Sequence, residues 1–180
     1  MNDLMQAEFG TVAEAIHQHA VHSPTRRALV EATGERTRAL TYAQLDTLMD
    51  QVAAALQRDG LQPGHAIAIC ASTSIEYAAV FLGALRAGVV VAPLAPSSTP
   101  ASLARMLADA DARLVFTDVA CAGLLGEAPS SITRIALDGS AAGMALNHWL
   151  AASKAAESPA MAVGAAQARS EEHTSELQSR

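Results

Sequence analysis

Short continuous apolar runs and helix-spaced apolar stripes alternate along the chain, with small or polar residues between them. The clearest example is the stretch 66–96, AIAICASTSIEYAAVFLGALRAGVVVAPLAP. Residues 66–70 and 89–92 are continuous apolar runs, and 75–87 is an apolar helical segment between them. Strands that are apolar on both faces are typical of parallel sheets covered by helices. The stretch therefore predicts a strand–helix–strand unit with parallel strands.

The same alternation continues on both sides of this unit. Segments 28–32 and 36–40 flank Thr33-Gly34-Glu35 and predict a hairpin at the edge of the domain. Because strands alternate with helices, the predicted fold class is α/β, with a doubly wound, mainly parallel sheet and helices on both faces. Further helices are predicted at 11–22, 42–59, 100–110, 119–125 and 144–150, and further parallel strands at 114–116 and 132–136.

Polar residues mark the beginnings of several of these helices. Thr41 and Gln44 have the spacing of a capping box, in which each side chain satisfies the other residue's backbone amide. Thr73 and Glu76 have the same spacing and predict a second capping box. The hydroxyl residues at 72–74 also suit anion binding at a helix N-terminus. No glycine-rich loop precedes them, however, so capping is the favoured interpretation.

Composition and charge narrow the class of protein. Of the 180 residues, 51% are apolar, which is enough for a buried core and argues against wholesale disorder. The net charge of −6 argues against nucleic acid or an anionic membrane as a partner. The apolar stretch 78–95 contains Arg86, two glycines and a proline, so a buried helix and strand explain it better than a membrane span. The N-terminus lacks the pattern of a signal peptide, and a cytoplasmic protein is expected.

Histidine and cysteine positions do not indicate a metal site. Of the three histidines in the first predicted helix, only His19 and His22 share a helix face, and no nearby carboxylate or thiol joins them. The two cysteines, Cys70 and Cys121, match neither a CxxC motif nor a Cys/His spacing. Cys70 ends an apolar run, where a buried and unreactive thiol is expected.

Three segments resemble one known enzyme family: HAVHSPTRRALV at 19–30, LTYAQLDTLMDQVAAALQRDGLQPGHAIAIC at 40–70, and SIEYAAVFLGALRAGVVVAPLAPSSTPASLARMLADADARLVFTD at 74–118. They resemble the N-terminal part of AMP-forming acyl-activating enzymes, which include acid–CoA ligases and the adenylation domains of peptide synthetases. LTYAQL corresponds to the family's first core motif. LRAGVVVAPLAP corresponds to the second, whose usual form has Lys in place of Arg86 and Asp in place of Ala95.

The resemblance implies a two-step reaction for the parent enzyme. A carboxylate attacks the α-phosphate of ATP to give an acyl-adenylate and pyrophosphate, and a thiol, usually that of coenzyme A, then displaces AMP. ATP, Mg²⁺ and coenzyme A are the implied cofactors, and a small-molecule carboxylic acid is the implied substrate.

The resemblance assigns no site residue to this chain. The family's phosphate loop, adenine-binding motif, ribose-binding aspartate and catalytic lysine all lie C-terminal to the matched part. We therefore assign no catalytic, cofactor-binding or metal-binding residue to this chain. The chain alone is expected to be inactive and to bind none of the cofactors well.

Composition also divides the chain near its C-terminus. Residues 1–150 are predicted to be the N-terminal subdomain of an adenylate-forming domain. Residues 151–168, rich in Ala, Ser and Gly, are predicted to be a linker toward the missing phosphate loop. The segment RSEEHTSELQS at 169–179 is identical to the translation of a common sequencing-library adapter, so 169–180 is interpreted as a non-native tail.

The alternative is a stand-alone flavodoxin-like binding or signalling module, which alternating strands and helices permit. A phosphoacceptor module of that kind needs acidic residues after its first and third strands. Ala71 and Ser72 follow the strand at 66–70, however, and Asp118 alone follows a later one. A dinucleotide-binding domain is disfavoured because no G-x-G-x-x-G motif follows any strand.

Overall fold

The structure, a computed structural model, describes residues 10–126, 132–139 and 143–152. Apart from residues 151–152, the predicted linker and the predicted tail lie outside the described residues. The elements in chain order are α1 (Val12–His22), β1 (Arg27–Thr33), β2 (Arg36–Thr41), α2 (Tyr42–Arg58), β3 (Ala66–Cys70), α3 (Ile75–Arg86), β4 (Val90–Pro93), α4 (Pro100–Asp109), β5 (Ala112–Thr117), α5 (Val119–Ala122), β6 (Thr133–Ala136), β7 (Met144–Ala145) and α6 (Leu146–Ala151).

Five parallel strands form one sheet in the order β4-β3-β5-β6-β7. The strands β1 and β2 form a separate antiparallel hairpin. The predicted α/β class, the parallel unit β3-α3-β4 and the hairpin are therefore confirmed. Counted from β3, the strand order is the 2-1-3-4-5 order of flavodoxin-like sheets.

The central strand β3 is buried on both of its faces. Ile67 and Ile69 belong to an apolar cluster with residues of α2, α3 and α6. Ala68 and Cys70 belong to a second cluster with residues of α4 and α5. Side chains alternate between the faces of a strand, so the two clusters lie on opposite faces of the sheet. The predicted placement of helices on both faces is confirmed.

Side-chain hydrogen bonds cap the helices α1 to α5, but not always at the predicted residue. The capping box of α2 is confirmed: the Gln44 amide donates to Thr41 Oγ1 at 3.3 Å, and the Thr41 amide donates to Gln44 Oε1 at 2.9 Å. The predicted box of Thr73 and Glu76 is wrong. Ser74 caps α3 by accepting from the Tyr77 amide at 3.1 Å. Glu76 is instead bound by the guanidinium of Arg38, which approaches its two carboxylate oxygens at 2.7 and 2.9 Å.

Two predicted helices in the C-terminal half are shorter than expected. The segment 144–150 is not helical throughout, because Met144 and Ala145 pair with β6 as strand β7 and the helix begins at Leu146. The helix predicted at 119–125 ends at Ala122, although its predicted cap, Asp118, is confirmed. In the first segment, helical propensity yields to strand pairing with β6, which local spacing does not encode. The second helix ends with Gly123 as its C-cap.

The helices α2 and α3 pack closely at Gly83. A Cβ atom on Gly83 would lie 2.5 Å from Val52 Cβ and 3.1 Å from the Met49 carbonyl oxygen. Real Cβ atoms essentially never make a contact as short as the first of these. Gly83 is therefore required by the approach of the two helices and not by its backbone conformation.

We expect Gly83→Ala to lower the free energy of unfolding by about 1–2 kcal/mol, since overpacking outweighs the better helix propensity of alanine. Gly123→Ala is the matched control, because an added Cβ there meets no atom within 4 Å and the φ of −70° suits alanine. The free energy of unfolding of each variant is measured by urea titration, with the fluorescence of Trp149, the chain's single tryptophan, as the signal. Equal free energies of unfolding for the two variants would contradict the packing argument.

Candidate functional site

The order of the strands marks one edge of the sheet as the place for a binding crevice. From β3 the chain continues through α3 on one face, and from β5 it continues through α5 on the other. A crevice forms outside the carboxyl ends of two neighbouring strands whose connections diverge in this way. Five residues lie at this edge and are called the switch-point cluster: Cys70, Ser72, Thr117, Asp118 and Cys121.

Asp118 joins the two sides of the cluster. Its Oδ2 accepts from the Ser72 amide and its Oδ1 accepts from the Cys121 amide, both at 2.8 Å. Burial alone would raise the pKa of Asp118, but the hydrogen bonds from Ser72 and Cys121 outweigh it and lower that pKa. A second carboxylate extends the pattern, because Asp138 accepts from the Val119 amide at 2.9 Å. Carboxylate-to-amide bonds therefore link the segments that follow β3, β5 and β6.

The two thiols of the cluster are buried and protonated at neutral pH. Cys70 and Cys121 are 0% and 1% exposed, and each thiol contributes to the pKa shift of the other. Burial raises the pKa of Cys70, and the charge of Asp118 adds to this effect. Burial, followed by the hydrogen bond to Asp118, raises the pKa of Cys121 to about 12. Since the thiolate is the nucleophile, neither thiol is an activated catalytic group.

Thr117 carries an unpaired polar atom at the same edge. Its Oγ1 is buried and has no hydrogen-bond partner. No other buried side-chain oxygen or nitrogen among the described residues is left unpaired in this way. Thr117 is the register partner of Cys70 in the β3–β5 ladder. Its backbone carbonyl is satisfied by the Leu137 amide at 2.8 Å. The orphan hydroxyl therefore belongs to a residue that lies directly beside Cys70 in the sheet.

The described residues hold no group of three or more His, Cys, Asp or Glu side chains that could bind a metal ion. His17 does meet a carboxylate, Asp46 of α2, with its Nδ1 3.0 Å from Asp46 Oδ2. Sequence reasoning missed this contact because the carboxylate comes from another helix. Among the described residues, no helix is both long enough and apolar enough to cross a bilayer.

A residue of the second motif behind the family resemblance holds helices together. Arg86 of the second motif donates to Asp46 Oδ1 at 2.5 Å and to Asp50 Oδ1 at 2.7 Å on α2. It also donates to the Ala13 carbonyl of α1 at 3.3 Å. Burial alone would raise the pKa of Asp46, but the hydrogen bonds from Arg86 and His17 lower it. Arg86 thus joins three helices and does not point to a chemical role.

Comparison with known proteins settles the family. The model of the family described as AMP-binding enzyme matches residues 16–176. This chain belongs to the AMP-binding enzyme family. The strand order alone would not decide this, because flavodoxin-like sheets share it.

Two curated relatives of this chain illustrate the sequence match. Tyrocidine synthase 3 of Brevibacillus parabrevis is 34% identical over 123 residues, which are 68% of this chain and 2% of that protein. The fatty acid–[acyl-carrier-protein] ligase ScoC of Streptomyces coeruleorubidus is 30% identical over 118 residues, which are 66% of this chain and 22% of that protein. The chain therefore spans only a small part of the relatives it matches.

Solved structures agree with the fold of this chain. The complex of VinN with L-aspartate has a TM-score of 0.70 and 28% sequence identity, covering 87% of this chain and 41% of that one. The N-terminal domain of FACL13 from Mycobacterium tuberculosis also has a TM-score of 0.70, at 24% identity, covering 87% and 40% of the two chains. The α/β sheet is thus the architecture of the N-terminal domain of adenylate-forming enzymes.

We expect Asp118→Ala to lower the free energy of unfolding by about 1–2 kcal/mol at pH 7, since it removes a helix cap and the bond to the Ser72 amide. The pKa of Asp118 is lowered by folding, so its stabilisation is present above the ordinary carboxyl pKa and is lost as pH falls through the folded-state pKa. The difference from the wild-type chain should therefore shrink on acidification. Urea unfolding at several pH values measures it.

Asp109→Ala is the control for this prediction, because Asp109 is an exposed carboxylate at the end of α4. We expect a change within about 0.5 kcal/mol at every pH. A deficit of Asp118→Ala that stays constant down to the most acidic pH at which the chain still folds would contradict the assigned role of the carboxylate.

Proposed function

We propose that this chain is the N-terminal part of an ATP-dependent ligase that activates a small carboxylic acid as an acyl-adenylate. The observation that carries the proposal is the family match over 16–176, together with the two core motifs. The names of the relatives support it: ScoC is a fatty acid–[acyl-carrier-protein] ligase, and a further solved structure is a fatty acyl-adenylate ligase in complex with acyl adenylate and pyrophosphate.

The switch-point cluster and the neighbouring Asp138 do not fit ATP or Mg²⁺. Both oxygens of Asp118 are used by backbone amides, and Asp138 adds a second negative charge near the same edge. Phosphate binding in this kind of site needs cationic side chains and converging backbone amides, whereas the amides of Ser72, Val119 and Cys121 are already paired. We therefore assign no contact with ATP, Mg²⁺ or coenzyme A to these residues.

We further propose that the 180-residue chain is inactive by itself. In this proposal residues 1–150 are the N-terminal subdomain, 151–168 lead toward the phosphate loop, and 169–180 are non-native. The subdomain contributes the framework on which the ATP-binding and acid-binding segments assemble. The acceptor in the second step is proposed to be the thiol of coenzyme A, and the protein to act in the cytoplasm.

ATP–pyrophosphate exchange tests the function. The polypeptide encoded by the source locus, read without interruption past the codon for Ala168, should exchange pyrophosphate into ATP in the presence of one member of a carboxylic acid panel. The 180-residue chain should show no exchange with any acid. Exchange by the 180-residue chain would contradict its proposed inactivity, and no exchange by the longer polypeptide would contradict the proposed function.

Mass spectrometry of the product identifies the acceptor. With coenzyme A, ATP and the active acid, the longer polypeptide should form an acyl-CoA thioester. Transfer of the acyl group, with release of AMP, only to the phosphopantetheine thiol of a carrier protein would overturn the assignment of coenzyme A and leave adenylate formation intact.

A further inference from the structure

Two cysteines that are distant in sequence meet at the carboxyl edge of the sheet. Cys70 is the last residue of β3, and Cys121 lies in α5, which directly follows β5. Both side chains are buried in one apolar cluster, and each thiol lies close enough to shift the pKa of the other. Neither the AMP-binding family match nor the framework role of the subdomain makes use of this contact.

The backbone holds the two cysteines together independently of their thiols. In the ladder between β3 and β5, Cys70 is the register partner of Thr117. The Ser72 amide and the Cys121 amide donate to the two oxygens of the single Asp118 carboxylate, each at 2.8 Å. One carboxylate therefore links the backbone segments that carry the two cysteines, and both side chains lie in the same apolar cluster.

We propose that Cys70 and Cys121 are a disulfide-forming pair, oxidised by a low-molecular-weight disulfide such as oxidised glutathione. One cysteine thiolate attacks the glutathione disulfide to give a mixed disulfide and one glutathione thiolate. The second cysteine thiolate then attacks the protein sulfur of the mixed disulfide and releases the second glutathione thiolate. The protein loses two electrons and two protons, and one glutathione disulfide becomes two reduced glutathione molecules.

Opening of α5 controls the rate of this reaction. Both thiols are buried in the folded chain, so the oxidant reaches them only when the edge opens locally. The helix α5 has four residues, and its first turn is held by Asp118 and by the bond from the Val119 amide to Asp138. The resulting disulfide would fix α5 to the end of β3 across the crevice, and reduction would release it.

Intact-mass and peptide-mapping experiments on the full 180-residue chain test the pair. Incubation with excess oxidised glutathione should remove two hydrogen atoms per chain and yield a monomer in which the Cys70 and Cys121 peptides are cross-linked. The cross-link closes a long loop, so we expect the melting temperature to rise by about 5 °C or more and to return on reduction. Stable glutathione adducts on separate thiols, disulfide-linked dimers, or two thiols that stay reduced would each overturn the proposal.

Substitutions distinguish formation of the Cys70–Cys121 disulfide from unspecific oxidation of the chain. Cys70→Ser and Cys121→Ser should each abolish the two-hydrogen loss. Asp118→Ala should speed cross-linking about fivefold because it loosens the first turn of α5, whereas Asp109→Ala should leave the rate unchanged. Equal rates for the two aspartate variants would overturn the role of α5 opening. The wild-type peptide map tests the pair itself, even where a serine variant fails to fold.

Discussion

Burial of β3 on both faces is the constraint on which the rest of the structure depends. Its five residues separate two apolar clusters, one beneath α2, α3 and α6 and the other beneath α4 and α5. A strand buried in this way cannot be exposed without opening both layers of the domain. It also sets the position of the crevice, because its neighbours β4 and β5 are reached through connections on opposite faces.

The residues that identify the family serve this framework and not the chemistry. Thr41 and Gln44 of the first motif begin α2 as a reciprocal cap. Arg86 of the second motif joins α3 to α1 and α2. Gly88 of the same motif adopts a φ of +71°, which lets the chain turn from α3 into β4. Membership of the AMP-binding enzymes is therefore readable from a part of the chain to which no reactive group is assigned.

The fold could be predicted from local signals in the sequence, whereas contacts between residues far apart in the sequence could not. The α2 cap, the hairpin around Gly34 and the apolar run of β3 depend on residues within a few positions of one another. The cap of α3 is Ser74 and not the predicted Thr73. Glu76 is bound by Arg38, which lies 38 positions away in the sequence. The placement of Cys70 and Cys121 in one apolar cluster likewise depends on strand order, which spacing alone does not encode. The sequence therefore did not predict that the residues of the switch-point cluster lie together.

Native-state hydrogen exchange tests the central role of β3 most directly. The amides of Ile67, Ala68 and Ile69 should exchange among the slowest in the chain, together with those of β5, and with the protection of global unfolding. Amides of the hairpin β1–β2 should exchange faster, because the hairpin pairs with no strand of the main sheet. If β3 instead exchanged as fast as the hairpin, the domain would not be organised around this strand.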